Sequence, residues 1–321
     1  MKKLLAIVLF LSLLFIFGCK EEAPAEKPTV TFIGGDKGIE MRFLPGAPPD
    51  TIFDRNFPFS ISVQVENVGE WDITNPKDLT VKIVGINPSD FGTTLEYLKK
   101  DSPTPLNGKH LDPSGNEIRG TLTNIEFPDL QYQTEISGSV EYILRAEACY
   151  EYGTKAVSRI CILDDLLGVT RKPGEKPICE PNEEKDVQNS GAPVKVLSVR
   201  ESVAGPDKIS LTIEIGHVGK GTVHQRFSEC GSEIAQRDRV YVKVDTGLPG
   251  LTCSGLAAGN EGYITLYGGK REIVCTQPLS TPRGDFEKPI NIELTYGYLS
   301  LIHISEPTRP RLISYAVFCL K

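Results

Sequence analysis

Two stretches 150 residues apart, SISVQVENVG from Ser60 to Gly69 and SLTIEIGHVG from Ser210 to Gly219, alternate apolar and polar residues and close on the same Val-Gly pair. A period of two places alternate side chains on one face of an extended strand, so each stretch reads as half-buried β structure. A second match follows in the same order: AEACYEY, Ala146–Tyr152, beside IELTYGY, Ile292–Tyr298. Two matched strands this far apart predict two copies of one folding unit. Further alternating runs fall at 29–33, 39–44, 59–65, 79–86, 118–127, 140–152 and 157–163, bounded by Gly, Pro, Asn or Asp. Only Ser89–Leu98 has a helical cast, and Gly92 weakens it. With so few helices to cross between parallel strands, the pattern favours an all-β chain of two tandem sandwiches over an α/β enzyme or binding-protein fold. Residues 29–298 exceed one sandwich of about 100 residues and suit two.

Both ends of the chain carry their own signals. Lys2 and Lys3 precede an apolar run from Leu4 to Phe17, which is short for a membrane span of about 20 residues and suits a signal peptide, residues 1–18. Gly18-Cys19 directly after it resembles a bacterial lipobox, which implies lipid attachment at Cys19 and membrane contact through the acyl chains. Residues 19–28, charged and Pro-containing, read as a tether. At the other end, Leu299–Arg309 resembles the translation of a transposase mosaic end and library adapter. Ile313–Leu320 resembles the flow-cell end of the same adapter, with an index-sized spacer between. Residues 299–321 are therefore expected to be non-native and are set aside from fold reasoning.

The domains expected on this reading are sandwich 1 at 29–167, a Pro-, Gly- and charge-rich linker at 168–193, and sandwich 2 at 194–298. In the first copy the chain is expected to turn through Gly153–Ala156 and return as 157–163. The second would lack that return strand and be truncated at its C-terminus.

Apart from Cys19 and Cys319, six cysteines remain: Cys149, Cys161, Cys179, Cys230, Cys253 and Cys275. On an exported chain an even set reads as three disulfides. If a hairpin is centred on Lys155, Cys149 faces Cys161 across it. Cys253–Cys275 and Cys179–Cys230 then follow by elimination. CxxC and HxxxH spacings are missing, so no metal and no cofactor are expected. His110, His217 and His224 carry no nucleophile or ligand spacing, and no GxSxG, HExxH or phosphate-loop motif occurs. Leu111–Glu117, LDPSGNE, reads as a polar turn rather than a Ca²⁺ loop, and Leu44–Asp50, LPGAPPD, as a crossover between sheets. The net charge of −7 becomes more negative without Lys2, Lys3 and the tail, which argues against nucleic acid as a partner.

The strand openings FSISVQVENVGEWDI and ISLTIEIGHVGKGTV resemble CARDB-type, immunoglobulin-like domains of microbial surface proteins, in which an alternating strand ends in Asn-x-Gly; the second copy carries His217 at the Asn position. The resemblance implies two tandem immunoglobulin-like β-sandwiches on an extracytoplasmic, membrane-anchored lipoprotein. Their role would be structural, adhesive or interactive, with no catalysis, and other surface proteins or glycans are the expected partners. An exported solute-binding protein or hydrolase is the alternative, and it would require a concave site with convergent polar groups.

Overall fold

The computed structural model describes residues 32–54, 57–172, 174, 176–230, 233–303 and 311–313. Among the described residues strands dominate and helices are confined to single 3₁₀ turns. The expected helix at Ser89–Leu98 is one of these, Pro88–Phe91, stopped by Gly92 in the left-handed conformation at φ 63°. Leu44–Asp50 does act as a connector, leading from the strand Ile39–Phe43 to Thr51–Phe53 in a different sheet.

Twelve strands carry the architecture: β1 (Ile39–Phe43), β2 (Phe59–Asn67), β3 (Leu79–Val84), β4 (Leu122–Leu130), β5 (Arg145–Ile162), β6 (Val194–Gly205), β7 (Lys208–His217), β8 (Thr222–His224), β9 (Arg239–Asp245), β10 (Glu261–Thr265), β11 (Lys270–Pro278) and β12 (Phe286–His303). One sheet runs β1-β2-β4, and another contains β6-β7-β11. A third, of eight strands, includes β10-β9-β12-β5-β3 in that order.

The repeat seen in the sequence is a repeat of pairing. Val63 faces Ile125 between β2 and β4, and Ile213 faces Ile273 between β7 and β11. Val81 faces Ala148 between β3 and β5, and Val242 faces Leu294 between β9 and β12. The central pairings of one half thus recur in the other, and the inward positions Ile61, Val63 and Val65 or Leu211, Ile213 and Ile215 are fully buried. Burying such side chains stabilises by about 1.5–3 kcal/mol each.

The expected turn at Gly153–Ala156 does not exist. β5 is one continuous strand of 18 residues, and β12 is another. They pair antiparallel along their whole length, from Arg145↔His303 to Ile162↔Phe286. Parity explains why. Ala146, Ala148, Tyr150, Tyr152, Thr154, Ala156, Ser158 and Ile160 are all buried, so period-two alternation passes through the supposed turn without a slip. Gly153 has a different use: a Cβ there would lie 2.6 Å from the Trp71 ring, so its missing side chain makes room for that ring.

This overturns two expectations. The first half has no return strand at 157–163, so the expectation that a matching strand is missing from the second loses its basis. Cys149 and Cys161 lie 12 residues apart on one strand, which at about 3.3 Å per residue is roughly 40 Å, so they cannot bridge. The disulfides are instead Cys149–Cys230, Cys161–Cys179 and Cys253–Cys275; only the last was anticipated.

Within the span read as adapter sequence, Leu299–His303 completes β12 and Arg311–Ile313 pairs between Thr51–Phe53 and Ser139–Glu141. Ladder hydrogen bonds come from the main chain, which every sequence supplies, so this pairing carries no information about origin.

Two outcomes follow. Non-reducing peptide mapping should recover the three cystines just named and no Cys149–Cys161 peptide. Gly153→Val should drive a methyl group into the Trp71 ring and cost about 1–3 kcal/mol in denaturant unfolding, whereas a glycine in an exposed turn would tolerate the change with little loss.

Candidate interaction cleft

Where β5 and β12 cross the middle of the molecule, Tyr150, Tyr152, Tyr296 and Tyr298 all point inward. Their partners repeat as the strands do. Tyr152 Oη donates to Asn67 Oδ1 at 2.9 Å, and Tyr298 Oη lies 2.9 Å from His217 Nε2, Asn67 and His217 being matched positions. Ile39 N–H donates to Tyr150 Oη at 3.2 Å, as Val194 N–H does to Tyr296 Oη at 3.3 Å. Tyr150 Oη meets Ser300 Oγ at 3.1 Å, and Tyr296 Oη meets Thr154 Oγ1 at 3.2 Å. Burial pushes the Tyr298 phenol up to about 12 and also raises the other three, so all four stay protonated. The same burial lowers His217, which favours the neutral imidazole. Asn67 also donates to the Trp71 and Leu106 carbonyls, so its role is to close a turn.

Beside this cluster a cleft of about 660 Å³ opens between β1 and the end of β12. Its walls include Lys37, Met41, Lys220, Tyr298 and Ile302. β1 is an edge strand, paired on one side only, with β2. Leu44 N–H points to Ser62 across that pair, and alternation turns the Met41 and Phe43 main-chain groups the other way, toward the open edge.

The matching edge of the other half is closed. There the linker, expected to be a loose connection, folds back onto the sheets. Glu184–Lys185 pairs with Val199–Arg200 of β6, and Gln188–Asn189 pairs with Ala156–Val157 of β5. Cys161–Cys179 ties its start to β5. The Asn189 carboxamide accepts from Val196 N–H and donates to Val196 C=O, both at 2.9 Å. Lys185, nearly buried, reaches fully buried Glu201 at 3.4 Å, and Glu201 also accepts from Cys161 N–H at 2.8 Å. Burial pushes the Glu201 carboxyl up to about 7 despite these partners.

The remaining residues singled out from sequence do not converge. Cys19 lies outside the described residues. Cys149–Cys230 ties the loop after β8 to the outer face of β5, where Gly297 leaves room for the Gln225 carbonyl. His110 sits in a surface hairpin with Leu111. His224 is buried, and neither ring nitrogen has a partner among the described residues. Asp112 accepts from Ser114 N–H, Asn116 N–H and the Asn116 amide, closing the LDPSGNE turn with its own carboxylate. Among the described residues no group of three or more His, Cys, Asp or Glu is placed to hold a metal ion. The sequence pattern did not reveal the tyrosine cluster, and although an exposed edge strand was an expected binding surface, it did not place that edge at β1. The paired Tyr-x-Tyr at matched positions was the available signal for the first.

No protein-family model matches the chain, and no curated protein matches it significantly.

The raised Glu201 carboxyl sets a pH dependence. A folded-state pKa above the ordinary value means that the folded protein binds more protons between about pH 4.5 and 7, so this group's contribution falls as pH rises through that window. Stability measured from pH 5 to 8 should therefore decline less in Glu201→Gln than in the parent chain. Parallel curves would show that Glu201 does not carry the effect.

Proposed function

We propose that this chain is a lipid-anchored module of the cell surface, built of two immunoglobulin-like sandwiches of CARDB type, which binds other macromolecules and performs no catalysis. The observation that carries the reading is the open edge at β1: a 660 Å³ cleft lined by Tyr150 and Tyr298 lies directly beside it. An edge strand next to a groove is the geometry used for β-augmentation.

Three disulfides indicate an extracytoplasmic protein. No helix among the described residues is long and apolar enough to cross a membrane. Attachment through Cys19 supplies the anchor on this reading, and the charged tether 19–28 spaces the sheets from the bilayer. The groups inside the cleft support binding over chemistry. Its phenols are protonated, and its nearest imidazole, His217, is engaged by Tyr298, leaving no activated nucleophile–base pair.

The test is fractionation of a bacterial host fed labelled palmitate. The parent chain should incorporate label and sediment with membranes, and Cys19→Ser should lose the label and appear in the soluble extracytoplasmic fraction. Label retained by Cys19→Ser, or a parent chain that never acquires it, would overturn the anchor.

A further inference from the structure

The central strands of the two halves match, yet one edge is sealed and the other is left open by the described residues. The sealed edge shows what an open one accepts. At β6 the outward main-chain groups of Val196 are both taken by one side chain, the carboxamide of Asn189, while Asn189 and Gln188 pair in extended form with β5. Val196 faces Ile215 as Met41 faces Val65, and Ile215 and Val65 are matched positions of the repeat. Met41 on β1 is thus the counterpart of Val196. Its neighbours agree: Val68 and Gly69 donate to Gly38 C=O as Val218 and Gly219 donate to Pro193 C=O.

The counterparts of Ala156 and Val157 on the opposite wall are Ile302 and His303 at the end of β12. Residues 33–35, which lead into β1, do not cover them. Ile33 and Gly34 donate to the Glu70 carboxylate at 3.0 and 2.8 Å, and Gly35 accepts from Ala192, so this segment runs beside the linker instead. Met41 N–H and C=O consequently meet no protein group among the described residues.

We propose that the cleft binds an extended peptide segment of a partner protein that presents an asparagine to Met41. The carboxamide accepts from Met41 N–H and donates to Met41 C=O, and the peptide main chain pairs with the β12 edge at Ile302–His303. The proposal rests on the reading of this cleft as the interaction site and names its ligand. A side-chain amide suits the position because it offers a donor and an acceptor in the spacing of a main-chain N–H and C=O. The wall residues on β12 enter through their main chain, so the argument does not depend on the side chains between 299 and 303.

The experiment uses the full chain, ¹⁵N-labelled, with a synthetic nonapeptide copying residues 183–191, EEKDVQNSG, and a second peptide in which the asparagine is alanine. Neither peptide alters the folding of the protein. The first should shift the Met41 and Ile302 amide signals saturably and leave Val196, whose site is already filled, unmoved. The alanine peptide should bind about tenfold or more weakly, since it loses both amide hydrogen bonds. Equal affinity of the two peptides at Met41 overturns the asparagine assignment but leaves the cleft as a peptide site. No shift at Met41 with either peptide overturns the cleft itself. Slow hydrogen exchange of the Met41 amide in the free protein also overturns the proposal. Independent of concentration, it would mean that the chain covers its own edge; rising with concentration, it would mean that a second copy does.

Discussion

The structure depends on one strand pairing, the full-length antiparallel ladder between Arg145–Ile162 and Phe286–His303. Each strand pairs at one end with its own half, through Leu79–Val84 or Arg239–Asp245, and then continues into the other half. The two repeats therefore share a sheet. A conventional linker would leave two cores free to move; here 18 paired residues in one register fix the halves together.

That ladder also fixes what lies at its centre. Because Tyr150 faces Tyr298 and Tyr152 faces Tyr296, four rings from two repeats converge on one buried site. Their hydroxyls are polar groups in a dry place and need partners. The partners come in matched sets, Asn67 with His217 and Thr154 with Ser300. Histidine substitutes for asparagine because a neutral imidazole can meet a phenol within the same turn. The asymmetry between the two edges then arises from connectivity alone. The linker returns to seal one edge with Asn189, held there by Cys161–Cys179 and the Lys185–Glu201 pair, and the described chain holds nothing equivalent for the other.

The strands, their inward faces and the duplication were legible in the sequence because a period of two is a local property, read from any few residues. The inward series from Ala146 to Ile160 was legible too, but a Gly-Thr-Lys-Ala stretch has the composition of a turn, and composition was given more weight than parity. Gly153 is small for the sake of Trp71, a contact across more than eighty residues that no local pattern encodes. The disulfide error followed from the same misplaced turn.

The amino-acid order by itself determined the all-β class, the two copies, the oxidising compartment implied by six cysteines and the absence of any familiar catalytic spacing. Tertiary structure alone decided which cysteines meet, that the halves share one sheet, that the linker is a strand-forming plug, and that no described segment covers the edge at Met41. The physical reason is one of range. Alternation and turn chemistry act between neighbours along the chain. Which strand lies beside which depends on the sum of many weak contacts between distant segments, and only the folded chain evaluates that sum.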